Sequence, residues 1–115
     1  MNVAVFSSPE KYSEIVEPYN TLNAIIGMQS RYQTNILFDN QALNRICEEK
    51  LGIHNDKLRY SDLNQLIAHY MSSITATMRF GGSINKSLYE IHNNMVPYPR
   101  ICYLTGSMAP LTPAD

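Results

Sequence analysis

Charge of one sign is missing from this sequence. Ten acidic and nine basic residues leave a net charge of −1 over 115 residues. No basic stripe marks a nucleic-acid surface, and no acidic tail is present. Long apolar runs are also missing, so no stretch approaches membrane-spanning length. The start, MNVAVFSS, lacks the basic and apolar regions of a signal peptide. Two cysteines, Cys47 and Cys102, are too few for a disulfide framework. Their apolar surroundings predict buried reduced thiols and a cytosolic chain. Glycine is sparse: Gly27, Gly52, Gly81, Gly82 and Gly106, with one adjacent pair. No loop here can wrap a triphosphate with backbone N–H groups. His54, His69 and His92 lack metal-ligand spacing. Nucleophile motifs, repeats and low-complexity runs are absent.

What is there is helical periodicity. The longest segment that reads as one helix is 60–80, YSDLNQLIAHYMSSITATMRF. Leu63, Leu66, Ile67, Tyr70, Met71, Ile74 and Met78 form a wide apolar stripe. The other face carries His69, Ser72, Ser73 and Ala76, small or uncharged. A helix so poor in charge is expected to be covered on most sides. Asp62 and Arg79 suit the helix dipole at either end, and Gly81-Gly82 is expected to stop the helix.

Ahead of that helix, Val3–Phe6 reads as a buried strand broken by Ser7-Ser8-Pro9. Glu17-Pro18 opens a helix whose apolar spacing is Ile15, Val16, Tyr19, Leu22 and Ile26. By itself Glu17 is a first-turn carboxylate favoured by the dipole. Asn35–Phe38 predicts a second strand. Asn40 then predicts an N-cap for a helix with Ala42, Leu43, Ile46, Cys47 and Leu51 on one face, ended by Gly52. At the head of the long helix, Tyr60 packs over the helix start with Ser61 as cap, on the simplest reading. Beyond it, Ile84, Leu88, Ile91 and Met95 mark a short helix with Glu90 on the opposite face. Ser87–Glu90 fits a capping box. Ile101–Leu104 reads as a third buried strand, after Pro97 and Pro99 force an extended entry.

Several motifs in register resemble the tubulin family. They are V-E-P-Y-N (Val16–Asn20), D-N-x-A-L-N-R-I-C (Asp39–Cys47) and Y-x-x-L-N-x-L (Tyr60–Leu66). S-S-I-T-A-T-M-R-F (Ser72–Phe80) follows with G-x-x-N, then L-x-E (Leu88–Glu90) and V-P-Y-P-R (Val96–Arg100). The resemblance covers essentially the whole chain. It implies an α/β fold, an internal fragment of the tubulin Rossmann-like GTPase domain plus the core helix and the start of the intermediate domain. Residues 1–59 would be the later part of the GTP-binding domain and 60–80 the core helix. Residues 81–115 would hold the activation loop, a short helix and the first strand of the intermediate domain. The family's glycine-rich phosphate loop would lie upstream.

The resemblance also implies function. Glu17 would contact the ribose of GTP, Asn40 and Asn64 the guanine, and Tyr60 would stack on the base. Stacked ring, amide and carboxylate are groups that a nucleoside requires. Mg2+ would be held by segments outside this stretch, with no metal ligand here. The family completes each catalytic site with the next subunit. Gly81, Gly82 and Asn85 would form the inter-subunit loop, and Glu90 would orient the attacking water. Alpha-tubulins place glutamate at the Glu90 position and beta-tubulins lysine, so the chain resembles a divergent alpha-tubulin with a beta-tubulin partner in cytoplasmic microtubules. D-N-x-A-L-N-R-I and T-G-x-x-x-P-L-T (Thr105–Thr112) are instead gamma-like. A gamma-like nucleating subunit, a non-catalytic GTP-binding assembly protein and a generic α/β ligand-binding domain remain the alternatives. Ser87 stands where the family has aspartate, which weakens the expectation of efficient hydrolysis. The isolated stretch is expected to be inactive.

Overall fold

The computed structural model describes residues 1–8, 14–54, 57–84 and 87–112. Its elements are β1 (Asn2–Phe6), α1 (Glu17–Arg31), β2 (Asn35–Asp39), α2 (Asn40–Leu51), α3 (Tyr60–Arg79), α4 (Leu88–Met95) and β3 (Tyr103–Thr105). The three strands form one parallel sheet in the order β1-β2-β3. Asn2 pairs with Asn35 and Phe6 with Asp39, while Asn35 also faces Tyr103 across the other edge of β2. Parallel neighbours need crossover connections, and α1 supplies the first. The second runs through α2, α3 and α4. The third strand was expected to open a second sheet. Among the described residues it instead extends the sheet of β1 and β2.

Asn35 shows why β2 is the centre. It is fully buried, and its backbone N–H donates to the Cys102 carbonyl at 2.8 Å. Its side-chain Oδ1 accepts from Asn2 Nδ2 at 3.2 Å, so one residue ties both flanking segments. The principal core sits beyond the other end of the strand. Leu43 and Cys47 of α2 meet Leu63 of α3, and Phe38, Leu51, Leu58, Leu66 and Ile67 pack around them. Phe38 also sets its ring edge-on to Tyr70, with centroids 5.3 Å apart. Aromatic pairs favour that geometry because a ring's positive edge meets a negative face. Burial pushes the Cys47 thiol up from its usual pKa, and the Asp62 and Glu48 carboxylates add to the effect. Cys47 and Cys102 are both buried free thiols, as their surroundings predict.

Four local expectations need correction. Asp39, not Asn40, caps α2: its extended backbone lets Oδ1 accept from the Gln41 N–H at 2.8 Å. A carboxylate in that position also meets the positive end of the helix dipole. Ser61 is not the cap of α3. The N-cap is Arg59, two residues earlier, and Asp62 accepts from the Arg59 backbone N–H at 2.9 Å. At the far end, Phe80 leaves the helix in an extended conformation, so a left-handed glycine is not what stops it. Gly52, with φ of 67°, is the only described residue in that region, and it ends α2 as expected. Ile84 lies ahead of α4 and is 72% exposed.

Surface cover is the larger departure. Ile15, Val16, Tyr19, Leu22 and Ile26 keep helical spacing along α1 but are all exposed, Ile15 at 88%. The inward side of α1 is instead made by Thr21, Ile25 and Met28. On α3 only Leu63 is buried; Leu66, Ile67, Tyr70, Met71 and Ile74 are half-buried, and His69, Ser72 and Ser73 are exposed. The radius of gyration is 16.1 Å. A compact domain of this length would have about 13 Å. Among the described residues, the excess agrees with an exposed apolar side on α1 and thin cover over α3.

Gly106 follows β3 where Tyr70 crosses it. A Cβ on Gly106 would lie 2.5 Å from the Tyr70 ring. That ring is held by Phe38 and has little room to give. Gly106→Ala is expected to destabilise the chain by about 1–3 kcal/mol, the usual cost of overpacking. Urea unfolding checks this, and Tyr70→Leu in the same chain should recover part of the loss.

Candidate functional site

A cavity of about 580 Å³ opens at the carboxyl ends of β1 and β2. Ser7 and Ser8 reach it from the turn after β1, Glu17 from the first residue of α1, and Asn40, Gln41 and Asn44 from the first turns of α2. Leu58, Arg59, Tyr60 and Leu63 close it from the head of α3. Open parallel sheets bind ligands at such strand ends, because the turns into following helices converge there.

Local structure explains each placement. Asp39 takes the capping role, so Asn40 enters the first turn of α2 with its amide left out of the cap. Asn44 follows four residues later and shares that face. Ser8 Oγ donates to Gln41 Oε1, which joins the turn after β1 to α2. Tyr60 is the first residue of α3, and its side chain is 79% exposed. An exposed aromatic face beside two amides is unusual in a packed core and suits a flat polar heterocycle. Glu17 is half-buried in the first turn of α1, across the cavity.

Three of the four nucleotide-binding candidates, Glu17, Asn40 and Tyr60, therefore line one cavity. Asn64 does not: it is exposed, one turn further along α3. Sequence reasoning passed over Ser8, Gln41, Asn44 and Arg59. The spacing of Asn40 and Asn44 carried a signal for one of them. Nothing in the spacing pointed to Arg59 or Ser8, which depend on how loops fold back.

A second cluster lies on α4, apart from the lining of this cavity. Ser87 caps the helix, its Oγ accepting from the Glu90 N–H at 3.3 Å. That is one half of the capping box expected there. Glu90 itself is exposed. Gly81 and Gly82 are exposed as well, whereas Asn85 falls outside the described residues. The helix is tied to the sheet by Thr34 Oγ1 and His92 Nδ1, 2.8 Å apart.

The sequence is 40% identical over 111 residues to the alpha-tubulin chain of Entamoeba histolytica, covering 96% of this chain and 24% of that protein. Identity to the nucleomorph alpha-tubulin chain of Guillardia theta is 38% over 111 residues, with the same coverage. With the alpha-1B chain of Physarum polycephalum it is 35% over 115 residues, all of this chain and 25% of the other. The chain is an alpha-like segment of the tubulin family. It spans about a quarter of the length of the curated relatives it matches. No protein-family model matches the sequence.

Within the tubulin framework the groups this cavity would meet are GTP and Mg2+. Its amides, ring and carboxylate fit a nucleoside. They do not fit a metal: no group of three or more His, Cys, Asp or Glu side chains gathers among the described residues. Nor does the described part of the cavity offer a glycine-rich cradle for phosphates. The chain alone is therefore expected to bind guanosine weakly and GTP no more tightly than guanosine. Ligand-observed NMR checks the pair, and micromolar GTP affinity by calorimetry would contradict it.

Proposed function

We propose that this tubulin-family chain supplies the nucleoside-holding part of a GTP site in a cytoskeletal polymer subunit. The observation that carries the reading is the convergence of Glu17, Asn40 and Tyr60 on one cavity. In this reading Tyr60 stacks on guanine, Asn40 bonds its edge and Glu17 accepts from ribose hydroxyls. Asn64 contributes only if α3 turns, or its side chain swings, toward the cavity in the nucleotide complex. The partner is a beta-tubulin subunit, as heterodimer mate and longitudinal neighbour in cytoplasmic microtubules.

Glu90 then acts in trans. Placed on an exposed helix beside the Gly81-Gly82 loop, its carboxylate accepts a proton-bearing water and aligns it with the γ-phosphate of GTP held by the adjoining subunit. The family resemblance would give Asn85 a role toward those phosphates. A second reading takes Glu90 as the third-position partner in a capping box of which one half, the backbone N–H of Glu90 donating to Ser87 Oγ, is present. There Glu90 is a helix cap, and the subunit binds GTP and assembles without supplying a catalytic group, as a nucleating gamma-like subunit could.

The stacking role is checked in the intact subunit. Tyr60→Ala should weaken GTP binding by about 1–3 kcal/mol, the range for a lost aromatic–base stack. Tyr60→Phe should cost far less, and equal losses would move the role to the hydroxyl.

The two roles of Glu90 diverge in Glu90→Gln. Glutamine still caps but lacks a carboxylate. If Glu90 positions water, phosphate release per polymerised subunit should fall by about 10²-fold or more, by analogy with general-base contributions. GTP binding to the free heterodimer and assembly should be unchanged. Release at the wild-type rate would reject the catalytic role and leave the cap.

A further inference from the structure

We propose that Arg59 is a specificity-determining residue, reading the O6/N7 edge of a guanine stacked on Tyr60. The inference rests on the nucleoside reading of the cavity and adds the group that selects the base. Among the described residues that line the cavity Arg59 is the only Lys or Arg, and it precedes Tyr60 in the chain. Its backbone is pinned on both sides by Asp62. The Arg59 N–H donates to Asp62 Oδ2 at 2.9 Å, and the Arg59 carbonyl accepts from the Asp62 N–H at 3.0 Å. The guanidinium takes part in neither bond. Asp62 thus fixes where the side chain starts while its carboxylate serves the backbone.

The other polar groups divide in a consistent way. Gln41 is bonded to Ser8 at the back of the cavity. Asn40 and Asn44 present amides to the cavity from successive turns of α2, and Arg59 and Tyr60 line it from the head of α3. Amide oxygens can accept from the N1–H and N2–H2 donors of guanine. The remaining edge carries two acceptors, O6 and N7, and a planar guanidinium offers two parallel N–H donors that match them. Adenine puts an N6–H2 donor where guanine has O6, so the same guanidinium would meet a donor there. A base lying on the Tyr60 ring has an edge within reach of the residue next to that ring. The geometry therefore assigns the acceptor edge to Arg59.

The test uses the 115-residue chain, guanosine, 7-deazaguanosine and GTP, with dissociation constants from ligand-observed NMR. Wild type should bind guanosine at least about fivefold more tightly than 7-deazaguanosine, the low end for one lost bidentate pair. Arg59→Ala should bring that ratio to about one, because the analogue lacks the atom the guanidinium would contact. Arg59→Lys should recover only part of the ratio, since an ammonium cannot span both acceptors. Circular dichroism should be unchanged in both variants, as the pinned groups are backbone atoms. An equal ratio in wild type and Arg59→Ala overturns the proposal while leaving the nucleoside reading intact. So does a loss confined to GTP, which would place the guanidinium on phosphate. Failure of the wild-type chain to bind guanosine saturably overturns both readings.

Discussion

The contact of Leu43 and Cys47 with Leu63 is what the candidate site depends on. These residues are nearly or wholly inaccessible, and they press α3 against α2. Asn40 is one turn from Leu43, and Tyr60 one turn from Leu63. Packing the second pair of residues therefore brings the first pair to the same cavity. A helix register shift of one residue would rotate Tyr60 by about 100° and take the ring away from Asn40. Stability and recognition are coupled here because each helix contributes its first turn to the cavity and its next turn to the core.

The sheet imposes a second constraint. Its strands are parallel, so all their carboxyl ends point one way and their following helices start on the same side. The Glu17, Asn40 and Tyr60 positions sit at three helix starts. Partial positive charge at helix N-termini favours electron-rich and anionic ligand groups. Three such termini meeting at one cavity is a consequence of topology and adds to what the side chains offer. The exposed apolar side of α1 and the thinly covered α3 belong to the same picture. The relatives are about four times as long as this chain. A core helix in a larger protein would keep the uncharged face seen on α3, and that face is costly to leave in water.

Alpha-like identity runs along the chain at 35–40%, yet Ser87 replaces the aspartate that the family resemblance leads one to expect. In the fold Ser87 has a job of its own, capping α4. A serine oxygen there holds the helix that carries Glu90 without adding negative charge. Arg59 brings a positive charge to a cavity whose other described lining residues are amides, hydroxyls, two leucines, one carboxylate and one aromatic ring.

Much of this was legible in the sequence. Period-3.6 apolar spacing located the helices, because a helix repeats its faces whatever surrounds it. Gly52 announced the end of α2, because a left-handed residue is cheap only for glycine. Motif register pointed to the tubulin family and to Glu17, Asn40 and Tyr60. Other features needed three dimensions. Whether Asp39 or Asn40 capped α2 depended on which backbone was extended at the strand's end. Whether the apolar spacing on α1 faced inward depended on what else was there to cover it, and Thr21, Ile25 and Met28 took the inner side. The partner of β3 was a matter of long-range pairing, which local propensity does not encode. Arg59 and Asn64 make the same point at the site. The sequence by itself determined which residues have the chemistry to meet a nucleoside. Only tertiary structure decided that Arg59 lines the cavity and Asn64 does not, because a side chain's neighbours are set by how helices pack, not by their order in the chain.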